Sequence, residues 1–223
     1  MAASLYASWL DLVRITQVGR LSVATAPAAP VATVAELQGQ ARVLFPGETD
    51  PFGGADDWLL AMDIEAAAQE LDVASGWLGR SLITRTLRLT LDCAPPRIVR
   101  LPGPPVQSIT QVAYTDPDGV DQVVLEAAMA AAGYRWDLDD TGQSALLWND
   151  DPGWPATEER PARIRIDYVA GYGDTGQAIP GGIRQWVLAR AAEMYRDREA
   201  SSLAPVTTLE HVERSLDNLR VRT

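Results

Sequence analysis

Residues 163–199 constrain the fold most strongly. Arg163-Ile-Arg-Ile-Asp-Tyr-Val169 alternates apolar and polar side chains, the period of a half-buried strand. Gly171, Gly173 and Asp174 follow as a turn, because glycine reaches backbone angles that other residues avoid. Pro180 suits the first turn of a helix, where its missing N–H costs nothing. Ile183, Val187, Ala191 and Met194/Tyr195 then fall on one stripe of a helix running to about residue 199. Arg196 and Arg198 stand in its last turn, where positive charge suits the helix dipole. A strand, a Gly-rich corner and a long helix make a scaffold, with nothing in them arranged for chemistry.

The length, 223 residues, suits one domain with arms or two small domains. Such a chain buries roughly 70% of its unfolded surface, so a core forms without staples. The single Cys93 excludes an internal disulfide, and the single His211 leaves no ligand cluster for zinc. No loop gathers carboxylates for an oxygen-only metal site, so neither metal nor cofactor is expected. A charged-then-apolar leader is missing, as is any long apolar run, so neither secretion nor membrane spanning is expected. All 19 basic residues are arginine and face 30 acidic ones, a net charge of −11. A protein gripping nucleic acid needs a basic surface to displace phosphate counterions, so on average this chain repels DNA.

The expected fold is α+β. Residues 1–30 read as an N-terminal arm and linker, with Leu5, Trp9 and Leu12/Val13 at helical spacing up to residue 21 and an Ala/Pro/Thr stretch at 24–30. Residues 31–199 read as one domain, with helices at 33–44, 56–78 and 181–199 and an inserted antiparallel β portion at 84–170. Thr33-Val-Ala-Glu36 has the form of a capping box, and Val34, Leu37, Ala41 and Leu44 make its helix amphipathic. Residues 45–54 form a loop. Asp56 or Asp57 caps the second helix, whose stripe Leu60, Ile64, Ala67, Leu71, Ala74 and Leu78 ends at Gly79. Strands are predicted at 86–92, 97–101, 109–115, 120–125, 134–138 and 145–148, with turns at 116–119 and 139–142 and a helical turn at 127–132. The prolines of Pro102-Gly-Pro-Pro105 force the chain out of the sheet. Residues 200–223 form a tail, and Thr207-Thr-Leu-Glu210 opens a last helix with the stripe Leu209, Val212, Leu216 and Leu219. That stripe needs a surface, on its own domain or on a neighbour.

Signals of catalysis are weak. Gly171-Tyr-Gly173 lacks the third glycine of a dinucleotide loop and reads as a turn. The pairs Asp56-Asp57, Asp139-Asp140 and Asp150-Asp151 stand at turns or helix starts, where local hydrogen bonding explains them. Ser75 and Ser81 lack a nucleophile elbow, and no triad can be assembled with His211. The chain is read as no enzyme. Trp58, Trp77 and Trp186, with Tyr195, fall on or beside apolar stripes, which points to core or subunit packing. The alternative to a structural role is a carbohydrate- or ligand-binding β module with a cleft around Trp136, Trp148 and Trp154.

One resemblance covers about three quarters of the chain. It runs from Gly79-Arg-Ser-Leu-Ile-Thr-Arg-Thr86 into Leu89-Thr-Leu-Asp92, then Leu101-Pro-Gly-Pro-Pro-Val-Gln-Ser-Ile109 and Tyr114 with its Asp116-Pro-Asp-Gly119 turn. Tyr134-Arg135, Trp154-Pro-Ala-Thr157, Tyr168-Val-Ala-Gly-Tyr-Gly-Asp174, Ile179-Pro180, Tyr195 and Arg198-Glu199 continue it. In order and spacing these resemble the head–tail connector (adaptor or neck) proteins of long-tailed bacteriophages and gene transfer agents. The resemblance implies a ring of subunits, usually twelve, below the portal protein of the filled head. It further implies that the ring extends the DNA channel, binds no DNA specifically, and receives the next neck or tail-completion protein. The virion neck is the implied location, with the host cytoplasm as the place of assembly and no membrane contact. In the family the C-terminal segment reaches the portal, which assigns portal docking to Leu209, Val212, Leu216 and Leu219. Three parts depart from the pattern: residues 1–30, the longer loop at 45–54, and the tail outside 215–221. On this reading a cut after Ser202 leaves a folded domain that no longer attaches to the portal, and the bore is poorer in arginine than the outside.

Overall fold

The computed structural model describes residues 19–41, 56–72, 76–93, 95, 98–138, 145–149, 153–196 and 216–220. They form two compact units. One, the β unit, takes its described residues from 19–26 and 85–171; the other, the helical unit, takes them from 27–84 and 172–220. The strands are β1 (Gly19–Thr25), β2 (Arg85–Leu91), β3 (Ile98–Leu101), β4 (Val106–Thr115), β5 (Asp121–Leu125), β6 (Tyr134–Leu138), β7 (Ala145–Asn149) and β8 (Ile164–Ala170). The helices are α1 (Val34–Ala41), α2 (Asp57–Leu71), the short α3 (Glu126–Met129) and α4 (Gly181–Arg196). The chain is thus α+β, with a long helix near its C-terminal end and two antiparallel sheets.

The five-stranded sheet runs β1-β2-β8-β4-β5 and the three-stranded sheet β3-β7-β6. Strict alternation in β2 and β8 sets the first. Leu87, Leu89 and Leu91 stand opposite Tyr168, Ile166 and Ile164, and all six are buried. Each such side chain contributes roughly 2 kcal/mol when fully removed from water. The alternate residues Arg88, Thr90, Asp167 and Arg165 share the other face, as the period of two requires. In the second sheet Val99 and Leu101 lie opposite Leu147 and Ala145, again fully buried. The Tyr168 hydroxyl donates to the Pro102 carbonyl at 2.7 Å, just after β3. β4 begins only after Pro105, where the prolines end.

Gly19–Thr25 corrects the reading of the arm and linker: it is a strand, antiparallel to β2. Leu21 and Val23 alternate with Arg20 and Ser22, a short period-two signal that the helical spacing before it and the alanine run after it had masked. The helix reading at residues 1–18 lies outside the described residues, as do the loop at 45–54 and the turn at 139–142.

In the helical unit, α1 opens with the anticipated capping box. The Thr33 amide donates to Glu36 Oε2 at 2.9 Å, and the Glu36 amide donates to Thr33 Oγ1 at 3.3 Å. α2 buries Leu60, Ile64, Ala67 and Leu71 against Ile183, Trp186, Val187 and Ala191 of α4. Ion pairs flank this contact: Arg190 binds Glu70 at 3.0 Å and Glu193 at 2.7 Å. α2 is shorter than its stripe suggested, ending at Leu71 rather than near residue 78. Asp72 is extended, and the Trp77 amide donates back to the Glu70 carbonyl at 3.0 Å. Leu78 is buried all the same, from a turn instead of a helix. Gly76 makes the turn possible, since a Cβ there would sit 2.1 Å from the Leu71 carbonyl carbon. α4 begins after Pro180, whose carbonyl accepts the Ile183 amide at 3.0 Å. No helix among the described residues is long and apolar enough to cross a membrane.

Candidate functional site

Among the described residues, several titratable side chains are tied into structural networks. On the polar face of the large sheet, Arg88 binds Asp167 through Nε and Nη2, both at 2.7 Å, and Gln111 Nε2 donates to the same carboxylate at 2.8 Å. Those hydrogen bonds hold the Arg88 guanidinium above its usual pKa. Further along the face, Asp121 accepts from the Thr115 hydroxyl at 2.6 Å and pairs with Arg165 at 3.1 Å. The hydroxyl first, and the arginine after it, keep the Asp121 carboxyl below the usual range. Asp116 closes the β4–β5 turn, accepting from the Val120 amide at 2.9 Å and from Gln122 at 3.0 Å. Burial pushes the Tyr134 phenol up to about 12, so it stays protonated. Among the described residues no three His, Cys, Asp or Glu side chains are grouped to hold a metal ion.

The helix-start aspartates depart from the local hydrogen bonding expected of them: each is held by a partner distant in the sequence, and Asp56 makes no side-chain cap. Asp56 holds the N-cap position of α2 without a side-chain cap; its carboxylate accepts from the Tyr195 hydroxyl at 2.9 Å. Asp57 Oδ1 accepts from Gln38 at 3.0 Å. Gly171-Tyr-Gly173 is a corner: the Gly171 amide donates to Pro105 O at 2.9 Å and the Thr84 amide to Gly173 O at 2.9 Å.

The tryptophans separate into different environments. Trp186 is fully buried, with Trp77 packed edge-on at 6.3 Å between ring centroids. Trp58 is 61% exposed on α2, with exposed Met62 one turn on. The proposed cleft of Trp136, Trp148 and Trp154 does not form as one site. Trp136 pairs across the ladder with Leu147, whereas Trp148 pairs with Arg135. Neighbouring residues of a strand point to opposite faces, so Trp136 and Trp148 lie on opposite sides of the sheet. Trp154 instead packs edge-on against Tyr134 at 5.4 Å.

The tail stripe is divided as well. Leu209 and Val212 lie outside the described residues. Leu216 is fully buried in the core of its own helical unit, 3.6 Å from where a Cβ on Gly182 would stand, and Leu219 packs at the edge of that core. Buried Arg80 donates to the Leu219 carbonyl, and the Arg220 guanidinium lies 5.9 Å above the Trp77 ring. Among the described residues, the large apolar side chains left exposed are Val23 on β1, Val120 just before β5, Val123 and Leu125 on β5, Trp136 and Leu138 on β6, and Trp58 and Met62 on α2. The sequence pattern singled out Trp58 and Trp136 but not Val123, Leu125 or Met62. Their hydrophobicity was visible, whereas the missing neighbour is a property of the topology.

Among the described residues, the fixed ion pairs and the open apolar side chains suit a building block. In fold and in sequence the chain is similar to the neck or connector type of phage structural protein, the type to which its motifs pointed. The solved chains it is similar to come from gene transfer agent (GTA) particles. A chain from the neck of the empty GTA particle computed with C6 symmetry is 28% identical, with a TM-score of 0.69 over 92% of this chain and 97% of that one. A chain from the virion of the native GTA particle is 26% identical, with a TM-score of 0.69 over 91% of this chain and 96% of that one. A chain from the neck of the native GTA particle computed with C12 symmetry shares the fold at 24% identity and a TM-score of 0.63. No family model and no curated protein matches.

Proposed function

We propose that this chain is a structural subunit of a virion neck, built into a ring beneath a portal protein. The observation that carries the reading is the likeness to the neck of the empty GTA particle, which spans nearly all of both chains. The C6 symmetry of that neck suits a ring whose copy number is a multiple of six, and a ring of twelve meets that condition. The ring extends the DNA channel and presents a docking surface to the next neck or tail-completion protein. A net charge of −11 favours this passive role, because a wall that displaced phosphate counterions would hold the DNA it must let pass. Trp58 with Met62 supplies an apolar subunit contact, while Trp77, Trp186 and Tyr195 belong to the core of one subunit. In the tail, portal docking falls to Leu209 and Val212, while Leu216 and Leu219 anchor the segment to its own subunit. Assembly takes place in the host cytoplasm, and the product is part of the virion.

Negative-stain microscopy of the full chain mixed with portal particles tests the reading. Added density in a ring below the portal is the expected result; portal particles unchanged by an excess of the chain would overturn it.

A further inference from the structure

We infer that β5 of one copy pairs with β1 of the next, so that the large sheets of neighbouring subunits join edge to edge around the ring. The inference rests on the neck reading and names its subunit contact. Four observations carry it.

The first is the state of the β5 edge. Among the described residues β5 pairs with β4 alone, and its other edge is open. Folded proteins protect such edges with charged residues, proline, bulges, extreme shortness or a covering helix or loop. Asp121–Leu125 has no proline, its one charge stands at its first residue and is paired with Arg165, and its register with β4 runs without a bulge. Val123 is 53% exposed and Leu125 57%. An edge of this kind recruits another strand.

The second is that the same sheet ends at its other side in a second open edge, β1, almost wholly exposed along its length. Copies arranged around a rotation axis meet through two different surfaces, and the two ends of one sheet are such a pair. The third is direction. β1, β2, β8, β4 and β5 are antiparallel at each of their four pairings, so β1 and β5 run the same way. Rotation about an axis along the strands preserves that direction, and the joint between copies is therefore parallel. Parallel pairing is slightly weaker per residue than antiparallel, which suits a joint made only on assembly.

The fourth is charge. Arg20 is the only charged residue of β1, with 71% of its side chain exposed and Asp92 no nearer than 4.0 Å. Around β5 stand Asp116, Asp118, Asp121 and Glu126; Asp121 pairs with Arg165 and Arg160 of its own copy, so Asp116, Asp118 and Glu126 carry the negative balance. The ends attract each other, and like ends repel, which favours head-to-tail order over a closed pair.

Cross-linking in assembled rings tests the contact. Ser22 pairs with Arg88, Arg88 with Asp167, Asp167 with Gln111, and Gln111 with Leu125, so Ser22, Val123 and Leu125 share one face of the sheet. In a Cys93→Ser background, copies carrying Ser22→Cys are mixed with copies carrying Val123→Cys, assembled with portal particles, and treated with a short bis-maleimide. The expected product is a 22–123 dimer, with little 22–22 or 123–123 product. Rings that assemble yet give no 22–123 product, or mainly 123–123 product, overturn the edge contact and leave the neck reading standing. Failure of the unsubstituted chain to form rings on the portal would overturn the neck reading, and the contact with it. A second variant, Val123→Lys with Leu125→Lys, changes only exposed side chains. It is expected to keep its urea midpoint and lose ring formation, and rings formed at the normal level would again overturn the contact.

Discussion

Asp167 and Arg88 share two hydrogen bonds but not the same surroundings. The Asp167 side chain is 8% exposed and that of Arg88 42%. Removing the arginine strands a buried carboxylate, while removing the carboxylate leaves an arginine that water can reach. Arg88→Leu is therefore expected to cost about 2–3 kcal/mol and Asp167→Asn about 1 kcal/mol in urea unfolding. Equal losses would mean that burial does not govern this pair. Glu36 gives the chain an acid limit. The Thr33 amide, against some opposition from burial, and the Arg184 guanidinium hold its carboxyl below the usual value in the folded state. Its stabilising contribution is full above the unfolded value, about 4.3, and is lost as pH falls through the lower folded value. The urea midpoint should drop between pH 5 and pH 3 by more in the wild type than in Glu36→Gln, and matching slopes would remove Glu36 from the account.

At the scale of the element, the end of the tail is the instructive case. Leu216 fills the helical core, so a cut after Ser202 removes a core side chain as well as a docking segment. Truncation and Leu216→Ala are each expected to lower stability by about 2–4 kcal/mol, the usual range for emptying a buried leucine site. An unchanged urea midpoint after truncation would restore the idea of a free arm. β2, β8 and α4 could be read from the sequence because strict alternation or a helical stripe declares them residue by residue. β1 could not, since its four alternating residues carry less signal than the segments on either side. The end of α2 was hidden for a different reason. Ala74 and Leu78 continue the helical spacing, and only the fit of Gly76 against Leu71 shows that the chain has turned. The division of Trp136 from Trp148 depends on strand register, which no local pattern supplies.

For the whole molecule, charge and topology set what it can do. With 30 acidic residues against 19 arginines, the chain is expected to leave duplex DNA unretained in filter binding at 0.15 M salt. Retention at submicromolar protein would contradict the picture of a wall that lets DNA slide past. Each unit is also stitched from separated pieces of chain, since 19–26 joins 85–171 and 27–84 joins 172–220. As the polypeptide leaves the ribosome, β1 emerges long before β2 can receive it, and α1 and α2 emerge with no α4 to cover them. The β core waits for β8 and the helical core for α4. A ribosome stalled before Ile164 would hold two unfinished cores, one lacking β8 and the other α4, with their apolar faces exposed to chaperones.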